Sequence, residues 1–261
     1  MSSKNPIGLF DSGVGGISIW KEVHQLLPHE NTIYLADSKN APYGQKTKED
    51  IIRLSCKNVD YLIERGCKMV IVACNTATTN AIKELRARYD IPFIGIEPAI
   101  KPAANQTKTE TIGILATKGT LNSELFHKTI ANYQHLNIIE QVGYNLVQLI
   151  ENGDLESEEI KELLKTYLDP MVAANMDYLV LGCTHYPFLI PQIKEIIPDH
   201  IKIIDSGEAV AKQTKNILEQ NGLLNTSHEA TKHLFYTNSK ADVLKKLLGT
   251  PFSDSVSVID F

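Results

Sequence analysis

The sequence predicts an α/β fold of two similar domains. Each domain has a mainly parallel sheet flanked by helices, a pseudo-twofold relates the two, and the functional site lies in the cleft between them. Three observations predict this arrangement. Short apolar runs alternate with helical patterns along the chain, the pattern repeats once, and each repeat has a cysteine at the same place.

Eight apolar segments are predicted strands. They are short, rich in β-branched residues and apolar throughout, as expected of strands covered by helices on both faces. They are residues 7–10, 32–36, 69–73, 93–96, 111–115, 138–142, 178–181 and 202–204.

Helical patterns lie between these strands. Thr47 is a predicted N-cap for a helix over residues 51–65, which Gly66 ends. Ser157 similarly begins a helix over residues 158–175. Strands that alternate with helices in this way predict βαβ units and parallel sheets.

An internal repeat indicates two domains. A strand beginning at Ile7 and one beginning at Ile112 open similar units, and Cys74 and Cys183 follow at separations of 67 and 71 residues. We expect one domain over residues 1–97 plus 208–261, and a second over residues 98–207. An Asp-Ser-Gly at residues 205–207, like the one after the first strand, marks the return to the first domain.

Composition indicates a folded cytoplasmic protein. The 261 residues are 43% hydrophobic and 22% charged, with a net charge of −5, which argues against nucleic acid or anionic membranes as partners. Residues 1–6 are polar, so no secretory signal is predicted, and no apolar run approaches the roughly 18 residues of a membrane span.

Two of the four cysteines are candidates for chemistry. Cys56 lies in a predicted helix and Cys67 in a turn, where a small buried side chain explains both. Cys74 and Cys183 each end a buried strand amid Asn, Thr and His. A helix N-terminus there is expected to lower the pKa of the thiol. Two equivalent thiols suggest reaction on two faces of one substrate.

Polar motifs follow four strands at the sheet edge where ligands collect in parallel α/β folds. They are Asp11-Ser12-Gly13, Cys74-Asn75-Thr76, residues 117–120 and Cys183-Thr184-His185. Any one of them could be only a helix cap, but four at matching positions favour a shared site.

The glycine-rich segment at residues 11–16 lacks the spacing of a nucleotide fingerprint. A cradle of backbone N–H groups for a carboxylate explains it as well. The four arginines lie away from the motifs, so neutral donors such as Ser12, Asn75, Thr76 and Thr184 are expected to hold a substrate carboxylate. His185 lacks further ligands at a suitable spacing, so no metal is predicted.

These motifs resemble the glutamate racemase family of the cofactor-independent aspartate/glutamate racemase superfamily. The matching segments are residues 7–16, 41–44, 73–77, 181–187 and 205–207, which span most of the chain in the family's order. The Cys-Asn-Thr and Gly-Cys-Thr parts indicate only the superfamily. Asp-Ser-Gly-Val-Gly-Gly, Pro-Tyr-Gly and Cys-Thr-His-Tyr-Pro point to the glutamate enzymes.

The resemblance implies a racemase with two catalytic bases and no cofactor. Cys74 would take the α-proton of D-glutamate and Cys183 that of L-glutamate, with Asp11 assisting Cys74 and His185 assisting Cys183. Glu151 matches an acidic helper, although Gln148 stands where the family has proline and Asn145 also departs from the family pattern. The implied ligand-binding residues include Asp11 and His185 again, with Ser12, Pro42, Tyr43, Gly44, Asn75, Thr76, Thr120 and Thr184.

The family also implies a supply of D-glutamate for peptidoglycan and a possible homodimer. Three alternatives stay open. The first is a racemase or isomerase of another acidic substrate, such as aspartate or a malate-like acid. A thiol hydrolase would use Cys183 and His185 as nucleophile and base and leave Cys74 dispensable. A ligand-binding protein on a degenerate racemase scaffold would need neither cysteine.

Overall fold

A computed structural model describes residues 2–227 and 229–261. The strands are β1 (Ile7–Asp11), β2 (Thr32–Ala36), β3 (Met69–Val72), β4 (Phe93–Gly95), β5 (Thr111–Ala116), β6 (Asn137–Val142), β7 (Tyr178–Gly182), β8 (Lys202–Ile204), β9 (His233–Thr237) and β10 (Val256–Val258). The α-helices are α1 (Ile17–Leu26), α2 (Lys48–Glu64), α3 (Asn75–Arg88), α4 (Ile100–Gln106), α5 (Lys118–Leu121), α6 (Glu124–Ile130), α7 (Leu146–Asn152), α8 (Glu158–Ala173), α9 (Ile190–Ile196), α10 (Gly207–Gln220) and α11 (Asp242–Leu248).

The strands form two sheets in which every pair is parallel. One sheet has the order β10-β9-β2-β1-β3-β4 and the other β6-β5-β7-β8. The second order repeats β2-β1-β3-β4, so β1 corresponds to β5 and β3 to β7. The predicted α/β class and its two similar parallel units are therefore confirmed. We call the six-stranded sheet with its helices the first unit and the four-stranded sheet with its helices the second unit.

All eight predicted strands are present, with bounds shifted by at most one residue at either end. Strands β9 and β10 were not predicted. They extend the first sheet beyond β2, where β9 pairs with β2 from His233↔Thr32 to Thr237↔Ala36. This extension gives the first sheet the two strands that the second lacks.

The predicted helix ends follow the expected local chemistry. The Thr47 side chain accepts a hydrogen bond from the Asp50 amide at the start of α2, three residues earlier than predicted. Gly66 follows with φ of +73°, a conformation that costs glycine little. At the start of α8, Ser157 accepts from the amide of Ile160.

The chain crosses between the units twice. The first crossing lies between β4 and α4, and the second lies between β8 and α10. The Ser206 hydroxyl at the second crossing donates to the carbonyl of Glu97 at the first, so the two crossings are joined. The domain boundaries at residues 97–98 and 207–208 stay predictions.

One cluster of buried apolar side chains holds the units together. It includes Trp20 and Tyr34 of the first unit and Leu146 and Tyr186 of the second. Burial of about 25 cal/mol per Å² of apolar surface favours keeping such an interface closed. No helix in residues 2–227 and 229–261 is long and apolar enough to cross a membrane.

Candidate active site

A cavity lies between the units, at the carboxyl ends of β1 and β3 on one side and of β5 and β7 on the other. Its free volume is about 10 Å³, room for roughly one water molecule. Its lining residues are Ser12, Pro42, Tyr43, Gly44, Cys74, Asn75, Thr76, Thr117, Val147, Cys183, Thr184 and His185. Ten of the predicted site residues therefore meet here, and the two cysteines enter from equivalent strands of different units.

Cys74 is the N-cap of α3. Its Sγ lies 3.4 Å from the Ala77 amide, which donates to it, and 3.7 Å from the Ser12 hydroxyl. The loop is short because β3 ends at Val72 and α3 begins at Asn75. The thiol is therefore fixed at the edge of the sheet, facing the second unit.

The expected lowering of the Cys74 pKa is wrong for this structure. Burial and the charge of Asp11 raise the pKa of the Cys74 thiol well above its usual value, and they outweigh the Ala77 amide and the Ser12 hydroxyl. The helix N-terminus is present, as predicted, but desolvation is the larger effect. Cys74 therefore rests as a protonated thiol, which suits a proton donor.

Cys183 follows β7 and is paired with a histidine. Its Sγ lies 3.7 Å from His185 Nδ1, and both side chains are buried. Burial opposes the charged imidazolium, but contacts with Cys183 and Glu151 raise the pKa of His185 well above its usual value. His185 is therefore a cation beside the second thiol at neutral pH.

Glu151 lies outside the cavity lining and reaches His185 from α7. Its Oε1 is 2.6 Å from His185 Nε2 and accepts a hydrogen bond from the Val14 amide at 2.6 Å, while its Oε2 accepts one from the Ser38 hydroxyl at 2.9 Å. Val14 and Ser38 belong to the first unit. The carboxylate therefore joins the units as well as orienting the histidine.

The glycine-rich loop after β1 holds the protein's own carboxylates. Asp11 Oδ2 accepts from the amides of Gly13 at 3.3 Å and Gly16 at 3.0 Å. A Cβ on Gly13 would lie 1.9 Å from Glu151 Oε1, and one on Gly15 would lie 2.3 Å from His185 Nδ1. The loop lacks side chains there because Glu151 and His185 pack directly on its backbone.

Asp11 lies behind the cavity, fully buried between the two arms of the site. Thr184 of the second unit donates to its Oδ1 at 3.4 Å. Burial raises the pKa of Asp11, the charge of His185 lowers it and the charge of Glu151 raises it, with a net increase. Asp11 does not line the cavity, and its charge raises the pKa of the Cys74 thiol. Its role as helper of Cys74 stays a prediction.

Neutral groups dominate the cavity wall. Asn75 is 3% exposed, and neither its amide nitrogen nor its amide oxygen has a hydrogen-bond partner in the described residues. Buried amides are ordinarily paired. An unpaired amide beside Cys74 is free to bind a polar group of a ligand.

The loop that carries Pro42, Tyr43 and Gly44 is held by a buried polar network. The Tyr43 hydroxyl donates to Asp37 Oδ2 at 2.5 Å and accepts from Asn58 at 3.1 Å. Burial, followed by the charge of Asp37, raises the pKa of Tyr43 well above its usual value, so the hydroxyl keeps its proton. The network fixes this loop over the cavity.

Thr120 lies outside the cavity lining. Its hydroxyl is 3.3 Å from that of Thr76 and 3.1 Å from that of Thr117, and Thr117 occupies the lining position. Ligand binding by Thr120 stays a prediction. Sequence reasoning did not single out Thr117 alone, although Thr117 directly follows β5 as Cys183 follows β7.

Val147 and Ser38 were also missed as site residues. Val147 lines the cavity and begins the segment that ends at Glu151. Its apolar side chain gave no indication of a site. Ser38 follows the carboxyl end of β2, the only hint in the sequence. In the described parts of the chain, no group of three or more His, Cys, Asp or Glu side chains could hold a metal ion.

The chain is similar in sequence to known racemases. Residues 16–214 match the family model described as Asp/Glu/Hydantoin racemase. A glutamate racemase from Pseudomonas syringae pv. tomato is 43% identical over 254 residues, which cover 97% of this chain and 91% of that protein. A glutamate racemase from Herpetosiphon aurantiacus is 46% identical over 221 residues, 84% of this chain and 87% of that protein.

Solved structures agree with the sequence matches. A glutamate racemase isoform from Bacillus anthracis has a TM-score of 0.85 at 29% identity, covering 99% of this chain and 98% of that chain. The same values hold for a glutamate racemase from Francisella tularensis, solved in complex with D-glutamate. The chain therefore belongs to the Asp/Glu/Hydantoin racemase family of isomerases, as a member of its glutamate racemase group.

Proposed function

We propose that this protein interconverts L- and D-glutamate with two cysteine thiols and without an added cofactor. One observation carries the proposal: Cys74 and Cys183 follow equivalent strands of the two units and line one cavity. Racemisation needs a base on one face of the α-carbon and an acid on the other, and two opposed thiols supply both.

The reaction from L-glutamate begins at Cys183. Its thiolate takes the α-proton, and the Cys74 thiol then gives its proton to the opposite face, which yields D-glutamate and exchanges the protonation states of the two cysteines. The raised pKa of Cys74 favours the protonated donor at the start, and the cationic His185 lies 3.7 Å from the Cys183 sulfur that takes the proton. The reverse reaction exchanges the two roles.

In this proposal, neutral donors and the cationic His185 bind the substrate. The unpaired amide of Asn75 and the hydroxyls of Ser12, Thr76 and Thr184 face the cavity, which has no arginine or lysine in its lining. Fixed donors of this kind stabilise the charge that develops when the α-proton leaves, because they need no reorganisation.

The first test is incubation of the purified protein with L-glutamate in D₂O, with no cofactor added. We expect the α-proton NMR signal and the optical rotation to disappear together. Proton exchange with retained rotation would indicate chemistry on one face only, against the two-thiol mechanism. If glutamate is inert, aspartate and malate-like acids are the next substrates to test.

The cysteines are tested by substitution. Cys74→Ala and Cys183→Ala should each lower kcat/KM by about 10²- to 10⁴-fold, the usual contribution of one acid or base. Cys56→Ala is the matched control, since Cys56 is buried in α2 outside the cavity. A thiol hydrolase would retain its reaction in Cys74→Ala, and this outcome would overturn the two-thiol mechanism.

We further propose that the protein supplies D-glutamate for peptidoglycan in the cytoplasm and forms a homodimer. The relatives are named glutamate racemases, which supports the formation of D-glutamate. The net charge of −5 is consistent with a small-molecule enzyme that needs no nucleic acid. Expression should let a bacterial D-glutamate auxotroph grow without added D-glutamate. Light scattering measures the oligomeric state.

A further inference from the structure

Ser38 contacts the site from outside it. It follows β2, at the start of a 3-10 turn formed by Ser38–Asn40. Its hydroxyl donates to Glu151 Oε2 at 2.9 Å, across the boundary between the units. Glu151 has a side chain that is 13% exposed, so this contact is largely shielded from water.

The two oxygens of the Glu151 carboxylate have different hydrogen-bond partners. Oε1 receives the Val14 amide and His185 Nε2, both at 2.6 Å. Among the described residues, Ser38 is the only hydrogen-bond partner of Oε2. Without the hydroxyl, the plane of the carboxylate is less firmly fixed, because only Oε1 remains hydrogen-bonded.

The orientation of this carboxylate bears on the charge of His185. Three ionisable groups face the imidazole: Cys183 from the same loop, Glu151 from α7 and Asp11 from the end of β1. Of these, Glu151 makes the short contact at 2.6 Å. A charge-assisted hydrogen bond of this length depends strongly on alignment.

We propose that Ser38 is a positioning residue for the reaction at Cys183: by holding Glu151 Oε2, it keeps the carboxylate aligned with His185. Because Ser38 belongs to the first unit and the other three residues to the second, this alignment is complete only when the units are together. The inference rests on the proposed racemase function, since its consequence is a change at one of the two bases.

Ser18 provides a matched control for contact between the units. Its hydroxyl donates to the Thr184 carbonyl, also across the boundary, and to the Gly15 carbonyl, both at 2.9 Å, and among the described residues it has no hydrogen bond to Glu151 or His185. If Ser38 only helps the units dock, removing either hydroxyl should have the same effect on His185.

The experiment compares the parent with Ser38→Ala, Ser38→Thr and Ser18→Ala. The titration of His185 is followed by ¹⁵N NMR without substrate, and kcat and KM are measured with glutamate. For Ser38→Ala we expect the His185 midpoint to fall by about 0.5 to 1 pH unit, because a mobile carboxylate stabilises the imidazolium less. We expect kcat to fall about 10-fold with KM little changed.

The controls make the inference specific. Ser38→Thr should restore the midpoint and kcat, and Ser18→Ala should keep the parent's midpoint. An unchanged midpoint in Ser38→Ala, or an equal shift in Ser18→Ala, would overturn the positioning role. If the parent racemises glutamate and the titrations give either of these two results, only the role of Ser38 is refuted. A parent that does not racemise glutamate refutes the proposed function and the inference with it.

Discussion

At the scale of single residues, the buried Asn75 amide carries a cost in stability that binding of a ligand would offset. It is buried at the first position of α3 with both polar atoms of its amide unpaired. Leaving a buried polar group unsatisfied costs about 1 to 3 kcal/mol. Stability alone would favour an apolar side chain here, so the amide is better explained by binding.

Asn75→Ala should separate binding from stability. We expect KM for glutamate to rise about 10- to 100-fold, because one buried hydrogen bond to a charged ligand is lost. The melting temperature should stay the same or rise, because an unpaired amide is removed. Steady-state kinetics and thermal denaturation measure the two effects.

Thr78→Val is the control for Asn75→Ala. The Thr78 hydroxyl donates to the Val72 carbonyl and accepts from the Ile96 amide. Its hydrogen bonds therefore lie inside the first unit. Its loss should lower the melting temperature and leave KM unchanged. A loss of stability in Asn75→Ala without a change in KM would show that the amide has a structural role.

Single residues show what sequence could and could not predict. Cys74, Cys183 and His185 were found because each follows a strand, and strand ends converge at one edge of a parallel sheet. The raised pKa of Cys74 was missed because it depends on burial and on Asp11, which is distant in sequence. Ser38 was missed because its partner, Glu151, lies 113 residues further along the chain.

At the scale of elements, a buried ion pair joins the starts of two strands. Lys68, just before β3, bonds Glu30, just before β2, at 2.5 Å, and both side chains are at most 1% exposed. Lys68 also donates to the Leu223 carbonyl, and Glu30 accepts from the Asn225 amide. The pair therefore ties the segment between α10 and β9 to the first sheet.

Glu30→Ala should destabilise the protein by about 3 to 5 kcal/mol, because it leaves the Lys68 ammonium buried without its counter-charge. Denaturant unfolding measures the change. The double variant Glu30→Leu with Lys68→Met should recover most of the loss, since it removes both charges. Equal losses in the single and double variants would mean that packing, and not charge, dominates at this site.

A cluster of aromatic rings from α1, β9 and Phe252 makes stability depend on pH. Burial, followed by the charge of His24, lowers the pKa of His233 to about 4, and burial lowers the pKa of His24. Trp20 stacks on His24 at 5.0 Å, and His233 packs edge-on against both rings. The folded state therefore prefers the neutral imidazoles.

The sign of the pH effect follows from this preference. Below a pH of about 6.5 the unfolded chain takes up a proton at His233 that the folded chain refuses until about 4, so stability is lost as pH falls through this window. We expect protonation of His233 to lower the melting temperature by about 2 to 4 °C, because the partial exposure of its ring screens the effect. His233→Asn should flatten the dependence between pH 6.5 and 4. An unchanged slope would count against the neutral imidazole.

Elements also differ in how well sequence predicts them. β1 and β3 are buried along their full length, and their continuous apolar runs predicted them correctly. β10 is the edge strand and β9 lies beside it, and both are partly exposed, with His, Thr and Ser among their residues. β9 pairs with β2 and β10 pairs with β9, and a local apolar pattern does not report such contacts.

At the scale of the whole molecule, the repeat was predictable because both units place a cysteine at similar spacing after the first strand. The shared strand order of the two sheets agrees with that pattern. The closeness of the units was not predictable. A cavity of about 10 Å³ is too small for glutamate, so the substrate enters only if the units or the loops over the cavity move.

The Val14 amide reports this opening, because its hydrogen bond to Glu151 crosses between the units. Amide hydrogen exchange at Val14 should be much faster than at Ile71, which lies in the middle of β3 between two paired strands. Glutamate at 100 times its Kd should slow exchange at Val14 by up to about 100-fold, because the units close around the bound ligand and re-form this hydrogen bond. Exchange at Ile71 should stay slower than at Val14 with and without glutamate, since only global unfolding exposes this amide and the ligand suppresses global unfolding as well. Exchange at Val14 as slow as at Ile71, and insensitive to glutamate, would mean that the units stay together and that the loop carrying Pro42 opens alone.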